Sequence, residues 1–138
     1  MKPEGRAFEG KRILIVEDNE LNREIASEFI HMMGAESETA EDGKKAVEKF
    51  AASPVGYYDM ILMDILMPEM GGYEAAGLIR SMERRDAGTV PILAMTANAF
   101  AEDVEKSRQA GMNAHISKPV SAELLYAQMD RFFRKEDS

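Results

Sequence analysis

The chain has 138 residues, 45% hydrophobic and 30% charged, with a formal net charge of −8 and no cysteine. The length suits one domain with one core, and the acidity disfavours direct nucleic-acid binding, which needs a basic footprint. Lack of cysteine excludes disulfides, thiolate metal sites and a Cys nucleophile and fits a cytoplasmic protein; no apolar run approaches the ~20 residues of a membrane span, so no membrane insertion of this segment is expected.

Residues 1–10 are polar, carry Pro3, Gly5 and Gly10, and read as a flexible N-terminal lead without a signal peptide. The domain proper is expected over 11–134, with 135–138 as a C-terminal tail. Arg12, Ile13, Leu14, Ile15 and Val16 form a β-branched apolar run, hence a buried strand. Glu17, Asp18 and Asn19 follow at once. From Glu20 the period turns helical, with Leu21, Ile25, Phe29, Met32 and Met33 on the expected core face; Gly34 stops the helix. His31 shares the polar face with Glu24, Ser27 and Glu28 and is expected in solvent. Residues 36–40 alternate weakly, as an edge strand does. Asp42 and Gly43 open a second helix with Ala46, Val47 and Phe50 inward.

The third strand ends in Met60, Ile61, Leu62, Met63 and Asp64, and a turn rich in breakers follows: Pro68, Glu69, Met70, Gly71, Gly72. A third helix over 73–83 points Ala75, Leu78, Ile79 and Met82 inward. After a charged loop over 84–88 comes a fourth strand ending in Thr96. Pro91 is tolerated near its start. A helix over 101–110 closes at Gly111. Ala114, His115, Ile116 and Ser117 form a fifth strand, ended by Lys118 and Pro119. The last helix runs over 121–134, with Ser121 at a capped start and Leu125, Met129 and Phe132 inward. Five strands alternating with five helices argue for a parallel α/β sheet wrapped on both faces.

In such a sheet the carboxyl ends of the strands share one rim, where ligands bind. Glu17 and Asp18 follow the first strand, Asp64 ends the third, Thr96 the fourth and Lys118 follows the fifth. Carboxylates ~5 Å apart repel by roughly 3 kcal/mol per pair at an effective dielectric near 20. Lys118 and a bound divalent cation are the counter-charges on offer. Oxygen donors select a hard ion, and Mg²⁺ suits a sparse, water-rich site that awaits a phosphoryl group. Asp64 is then a candidate nucleophile for an aspartyl-phosphate, with Lys118 and Thr96 on the phosphoryl oxygens.

These residues resemble the receiver domain of two-component response regulators, over about residues 11–133. The resemblance rests on Ile13 to Asn19, on Met63-Asp64-Ile65-Leu66-Met67-Pro68-Glu69-Met70, on Met95-Thr96-Ala97 and on Lys118-Pro119, in that order. It implies a flavodoxin-like sheet of order 2-1-3-4-5 with five helices. It implies Asp64 as phosphoacceptor, with Mg²⁺ bound by Asp18, Asp64 and the backbone carbonyl of Leu66, and by Glu17 through water. Thr96 becomes the switch hydroxyl, Lys118 the phosphoryl-binding lysine, and the Lys118–Pro119 bond cis. The implied partner is a sensor histidine kinase or a histidine phosphotransfer protein, and the implied role is phosphorelay signalling. Apart from assisting its own phosphorylation and dephosphorylation, such a domain is not an enzyme. The stretches 18–22 and 111–119 are closest in flavour to receivers of hybrid sensor kinases, so the chain is expected to be a stand-alone receiver or a part of a larger kinase. Asn22 and Arg23, beside the site, are the expected docking patch.

The sequence also departs from the family pattern. Gly71 replaces an Asp common after the Met-Pro-x-Met turn. His115 stands where many members carry a Tyr or Phe that rotates with the threonine; its ring is expected to turn inward on phosphorylation. Leu66 and Asn98 flank the expected water path, and Leu66 offers an attacking water no hydrogen bond, so the phosphoryl group is expected to last many minutes or longer. Competing readings are weaker. A haloacid-dehalogenase-type hydrolase needs a second Asp where Leu66 stands. A flavodoxin needs a phosphate loop where Glu17, Asp18 and Asn19 stand. A degenerate receiver that only binds proteins does not need the full acidic set.

Overall fold

The structure is a computed structural model, which describes residues 8–65, 67, 70–96 and 101–137, the side chains of 101–103 and 134–137 excepted. Its strands are β1 (Arg12–Val16), β2 (Glu36–Ala40), β3 (Met60–Asp64), β4 (Ile92–Thr96) and β5 (Ala114–Ser117). They are all parallel, in the order β2-β1-β3-β4-β5. Between and after them lie α1 (Glu20–Met32), α2 (Gly43–Ala52), α3 (Gly72–Arg80), a 3₁₀ turn (Arg85–Gly88), α4 (Ala101–Gln109) and α5 (Ala122–Asp137). The expected fold class and strand order are therefore found, and the charged loop gains a turn of 3₁₀ helix.

The central strands are apolar on both faces because both faces are covered. Leu14, Val16, Ile61, Met63, Ile92 and Ala94 pack with Ala46, Phe50, Ala75 and Ile79 of α2 and α3. Ile13, Ile15, Met60, Leu62, Leu93 and Met95 pack with Ala26, Ile30, Leu125 and Met129 of α1 and α5. Side chains that alternate along each strand thus feed two separate cores.

Helix starts follow the side chains placed there. Asn19 Oδ1 accepts from the Asn22 amide at 2.9 Å, and Asp42 Oδ1 from the Lys45 amide at 2.8 Å. Ser121 Oγ accepts from the Leu124 amide at 3.1 Å, which caps α5 as expected.

Three expectations about core faces are corrected. On α1, Leu21 (64%), Ile25 (39%) and Met32 (53%) are exposed; the helix buries Ala26 and Ile30, with Met33 at its end. The sequence carries two helical stripes there, and the one with the small Ala26 lets the helix lie close to the sheet. On α3, Leu78 faces solvent while Ala75, Ala76 and Ile79 are buried. Small residues win again, because α3 packs tightly on α2: a Cβ at Gly43 would lie 3.1 Å from the Ala75 methyl. On α5, Phe133 is buried, whereas Phe132 is only partly covered.

Phe8, in the stretch read as a polar lead, is also buried. Its amide donates to the Met33 carbonyl at 2.9 Å, and its ring meets Tyr126 and Phe133 at 5.3 and 5.6 Å between centroids. The core of α1 and α5 therefore recruits a residue from before the first strand.

Candidate phosphoryl site at the strand ends

β1, β3, β4 and β5 each deliver site side chains to one rim through the register of the sheet. β1 ends at Val16, so Glu17 and Asp18 leave the sheet as the chain turns into α1. The Glu17 amide still donates to the Ala40 carbonyl at 3.1 Å, holding the turn against β2. Arg23 then clamps that turn, donating to the backbone carbonyls of Glu17 (2.9 Å) and Asp18 (3.1 Å). The sequence reading placed Arg23 only on a docking patch; its guanidinium also holds the acidic turn in shape.

Asp64 is the last residue of β3, opposite Met95 of β4. It is buried, as is Glu17. Thr96 ends β4 opposite Ser117, and the Lys118 amide donates to the Thr96 carbonyl at 2.8 Å. That bond seats Lys118 at the rim, and the Lys118–Pro119 peptide is cis, as the resemblance implied. The Lys118 ammonium donates to Glu17 Oε1 at 2.8 Å and to Asp64 Oδ2 at 2.9 Å. Burial works against its charge, but the hydrogen bonds and negative charges of Glu17 and Asp64 outweigh burial and raise its pKa above the usual lysine value.

The acidic groups converge closely. One carboxylate oxygen from each of Glu17, Asp18 and Asp64 lies within 4.8 Å of the others. Partial burial, then the hydrogen bond and charge of Glu17, push the Asp18 carboxyl above its ordinary value; Lys118 opposes them only weakly. Asp18 itself stands open to solvent. Three carboxylates against one ammonium leave two negative charges unbalanced. A divalent cation on oxygen donors restores the balance, so the donor set fits a hard ion.

These groups line a cleft of about 260 Å³ that also meets Asn19, Asn22, Ile65 and Thr96. The cleft thus gathers Glu17, Asp18, Asp64, Thr96 and Lys118, the residues singled out from the sequence. Leu66 and its carbonyl, Pro68, Ala97 and Asn98 lie outside the described residues. His115 is placed elsewhere: it stands on a face of the sheet, opposite Ala94, with its Nε2 buried. His31 is exposed as expected, with Nε2 3.2 Å from Ser37 Oγ. Among the described residues, no helix is long and apolar enough to cross a membrane.

The response regulator receiver domain model matches residues 13–130. The chain belongs to that family. It is a two-component phosphorelay receiver, homologous to receiver domains of hybrid histidine kinases. Hybrid signal transduction histidine kinase I of Dictyostelium discoideum is 36% identical over 118 residues, covering 84% of this chain and 7% of that protein. Histidine kinase 3 of Arabidopsis thaliana is 36% identical over 142 residues, covering 90% of this chain and 14% of that protein. The chain therefore spans a small part of these relatives. Among solved structures, the receiver domain of a Pseudomonas aeruginosa sensor histidine kinase is 36% identical, with a TM-score of 0.80 over 89% of this chain and 97% of that one. That structure has a magnesium ion coordinated in its active site cleft. The Vibrio cholerae chemotaxis protein CheY4 is 28% identical, with a TM-score of 0.81 over 88% and 98% of the two chains.

Proposed function

We propose that Asp64 accepts a phosphoryl group from a phosphohistidine, and that Thr96 and Lys118 read the result. The observation that carries this reading is the Lys118 ammonium shared between Glu17 and Asp64 beside a third carboxylate, Asp18. Asp64 Oδ attacks phosphorus while the phosphorus–nitrogen bond of the donor breaks, and the electron pair of that bond leaves on the imidazole. The receptor side needs little covalent help. It needs positive charge on the transferring oxygens and a fixed nucleophile.

Lys118 supplies one positive charge and is freed from Asp64 as the carboxylate becomes an acyl phosphate. Asp18 and Asp64, with Glu17 behind them, would hold Mg²⁺, which when bound neutralises charge on the phosphoryl oxygens. The Leu66 carbonyl completes the expected ligand set by resemblance alone. Thr96, buried at the end of β4, donates its hydroxyl to a phosphoryl oxygen and moves toward Asp64 in doing so.

The donor is a sensor histidine kinase or a histidine phosphotransfer protein, and the segment works in the cytoplasm. It would meet the rim of the cleft, where α1 presents Asn22 beside the exposed Leu21 and Ile25. Apart from assisting gain and loss of its own phosphoryl group, the domain is not an enzyme.

Acetyl phosphate with Mg²⁺, followed by intact mass, tests the reading. One added phosphoryl group is expected in the wild type and none in Asp64→Asn. Equal labelling of both proteins overturns it.

A further inference from the structure

The short loop between β2 and α2 touches both segments that carry the acidic site, although β1 separates β2 from β3 in the sheet. On one side, the Ala40 carbonyl accepts from the Glu17 amide at 3.1 Å. On the other, the Gly43 amide donates to the Met70 carbonyl at 3.1 Å. Met70 belongs to the loop that leaves Asp64 and leads into α3. That loop is closed on itself by the Gly72 amide, which donates to the Ile65 carbonyl at 3.0 Å. A shift at Met70 is therefore passed to Ile65, the residue after Asp64.

The start of α2 explains the contact. Asp42 Oδ1 caps the helix by accepting from the Lys45 amide at 2.8 Å. Gly43 is then the first helical residue, and its amide is one of those without a partner inside the helix. It is spent on the Met70 carbonyl. The approach is so close that a Cβ on Gly43 would lie 2.4 Å from the Met70 carbonyl oxygen and 3.1 Å from its carbon. Both are backbone atoms, so the loop itself has to shift. The φ of Gly43 lies outside the left-handed region, so space and not backbone conformation calls for glycine. The same Cβ would also stand 3.1 Å from the Ala75 methyl, a contact within the packing of α2 on α3.

We infer that Gly43 is a positioning residue for phosphoryl transfer: its bare Cα lets the start of α2 seat the loop that carries Asp64. Gly43 is not among the residues that line the cleft, and its effect reaches Asp64 through backbone alone. Mg²⁺ demands near-ideal geometry from its oxygen donors, and a nucleophile displaced by about 1 Å loses much of its rate. A loop pushed aside at Met70 thus weakens the cation site and slows the transfer together. The inference rests on Asp64 being the phosphoacceptor.

The test compares the wild type with Gly43→Ala, Ala75→Gly, the double variant Gly43→Ala/Ala75→Gly and Asp86→Asn, at a temperature where circular dichroism shows each of them folded. Calorimetric titration gives the Mg²⁺ affinity. Intact mass gives the rate of labelling by acetyl phosphate at saturating Mg²⁺. Gly43→Ala is expected to bind Mg²⁺ roughly tenfold more weakly and to be labelled roughly tenfold more slowly. Asp86→Asn, destabilised far from the cleft, should follow the wild type in both. Ala75→Gly removes the methyl but not the Met70 carbonyl, so the double variant should keep the tenfold losses. Wild-type affinity and rate in Gly43→Ala, or their return in the double variant, overturn the inference while leaving Asp64 as acceptor. Failure of the wild type to bind Mg²⁺ and to take up a phosphoryl group overturns the reading of Asp64 and the inference with it. If Gly43→Ala does not fold, the wild type decides by NMR. On binding beryllium fluoride with Mg²⁺, its Gly43 amide signal should move more than that of Gly77, and an unmoved Gly43 signal overturns the inference.

Discussion

Lys118 Nζ lies 2.9 Å from Asp64 Oδ2, a contact that joins residues 54 apart in the chain. The same ammonium holds Glu17, so one cation is shared between two buried carboxylates. Lys118→Met removes it and leaves both acids uncompensated. Breaking a buried pair is costly, and with part of Lys118 facing solvent the expected loss is about 2 kcal/mol. Urea unfolding at pH 7 without Mg²⁺ measures it. Mg²⁺ should then stabilise the variant more than the wild type. Phosphorylation by acetyl phosphate should fall at least tenfold. The raised pKa of Lys118 sets the pH window. Its contribution is full below the unfolded lysine value and is lost as pH climbs through the higher folded value, so the wild type should lose the advantage only above about pH 10.5.

Asp18 behaves in the opposite sense. Its folded pKa is raised, so its protonated form favours the fold and its ionised form does not. Stability from this group is present at low pH and is lost as pH rises through the raised value. At pH 7 the metal-free protein therefore carries an acidic site that it would shed if it could. Asp18→Asn is expected to raise the thermal midpoint of the metal-free protein by about 1–3 °C. The same substitution should abolish the rise that millimolar Mg²⁺ gives the wild type, a rise that grows with the logarithm of concentration over Kd. Scanning calorimetry with and without Mg²⁺ checks both outcomes. A variant that keeps the Mg²⁺ response excludes Asp18 as a ligand.

The site was legible in the sequence because its chemistry lies in residue types at strand ends, and strand ends are set by simple apolar runs. Asp64 after Met63 and Lys118 before Pro119 need no tertiary information to be noticed. What was not legible depends on how closely two surfaces approach. Leu21 and Ile25 read as core because they are large and apolar, yet Ala26 and Ile30 take the sheet side of α1. Phe8 reads as lead because it sits among polar residues, yet Tyr126 and Phe133 create a place for it. Glu38, which accepts hydrogen bonds from both Tyr57 and Tyr58, is equally invisible in one dimension. Its partners become neighbours only when β2 pairs with β1 and β1 with β3.

Gly72 shows the same point at the site itself. A Cβ there would lie 2.4 Å from the Asp64 carbonyl oxygen and 3.0 Å from the Ile65 Cα. Both are backbone atoms of the segment that carries the phosphoacceptor, so neither can swing aside. The Gly72 amide donates to the Ile65 carbonyl at 3.0 Å and fixes the approach. Gly72→Ala is expected to push α3 away from the end of β3, costing about 2–4 kcal/mol as an overpacked contact. It should also slow phosphorylation more than the stability loss explains, because Asp64 is displaced. Gly77→Ala is the control: a Cβ there meets nothing within 4 Å, and no loss of stability is expected.

Arg84 and Asp86 lie at the opposite end of the sheet and provide a test of stability without function. Arg84 donates to both Asp86 oxygens, at 2.6 and 2.9 Å, and to the carbonyls of Phe50 (2.7 Å), Ser53 (2.9 Å) and Pro54 (2.9 Å). The Gly56 amide donates to Asp86 at 2.8 Å. Together they tie the loop after α2 to the 3₁₀ turn before β4. The Arg84 hydrogen bonds hold the Asp86 carboxyl below its ordinary value, against the effect of burial. Stability from a lowered carboxylate is present above the unfolded value near 3.9 and is lost as pH falls through the folded value. Asp86→Asn keeps the shape but not the charge. It should cost about 2–3 kcal/mol at pH 7 and progressively less below pH 4, where the wild type loses the same contribution. Urea titrations at pH 7 and pH 3.5 measure that convergence. Mg²⁺ affinity and phosphoryl uptake of the folded variant should match the wild type, since the cleft lies at the carboxyl ends of the strands and this tie at their amino ends. A constant cost across that pH range would mean that the carboxylate charge contributes nothing beyond its hydrogen bonds.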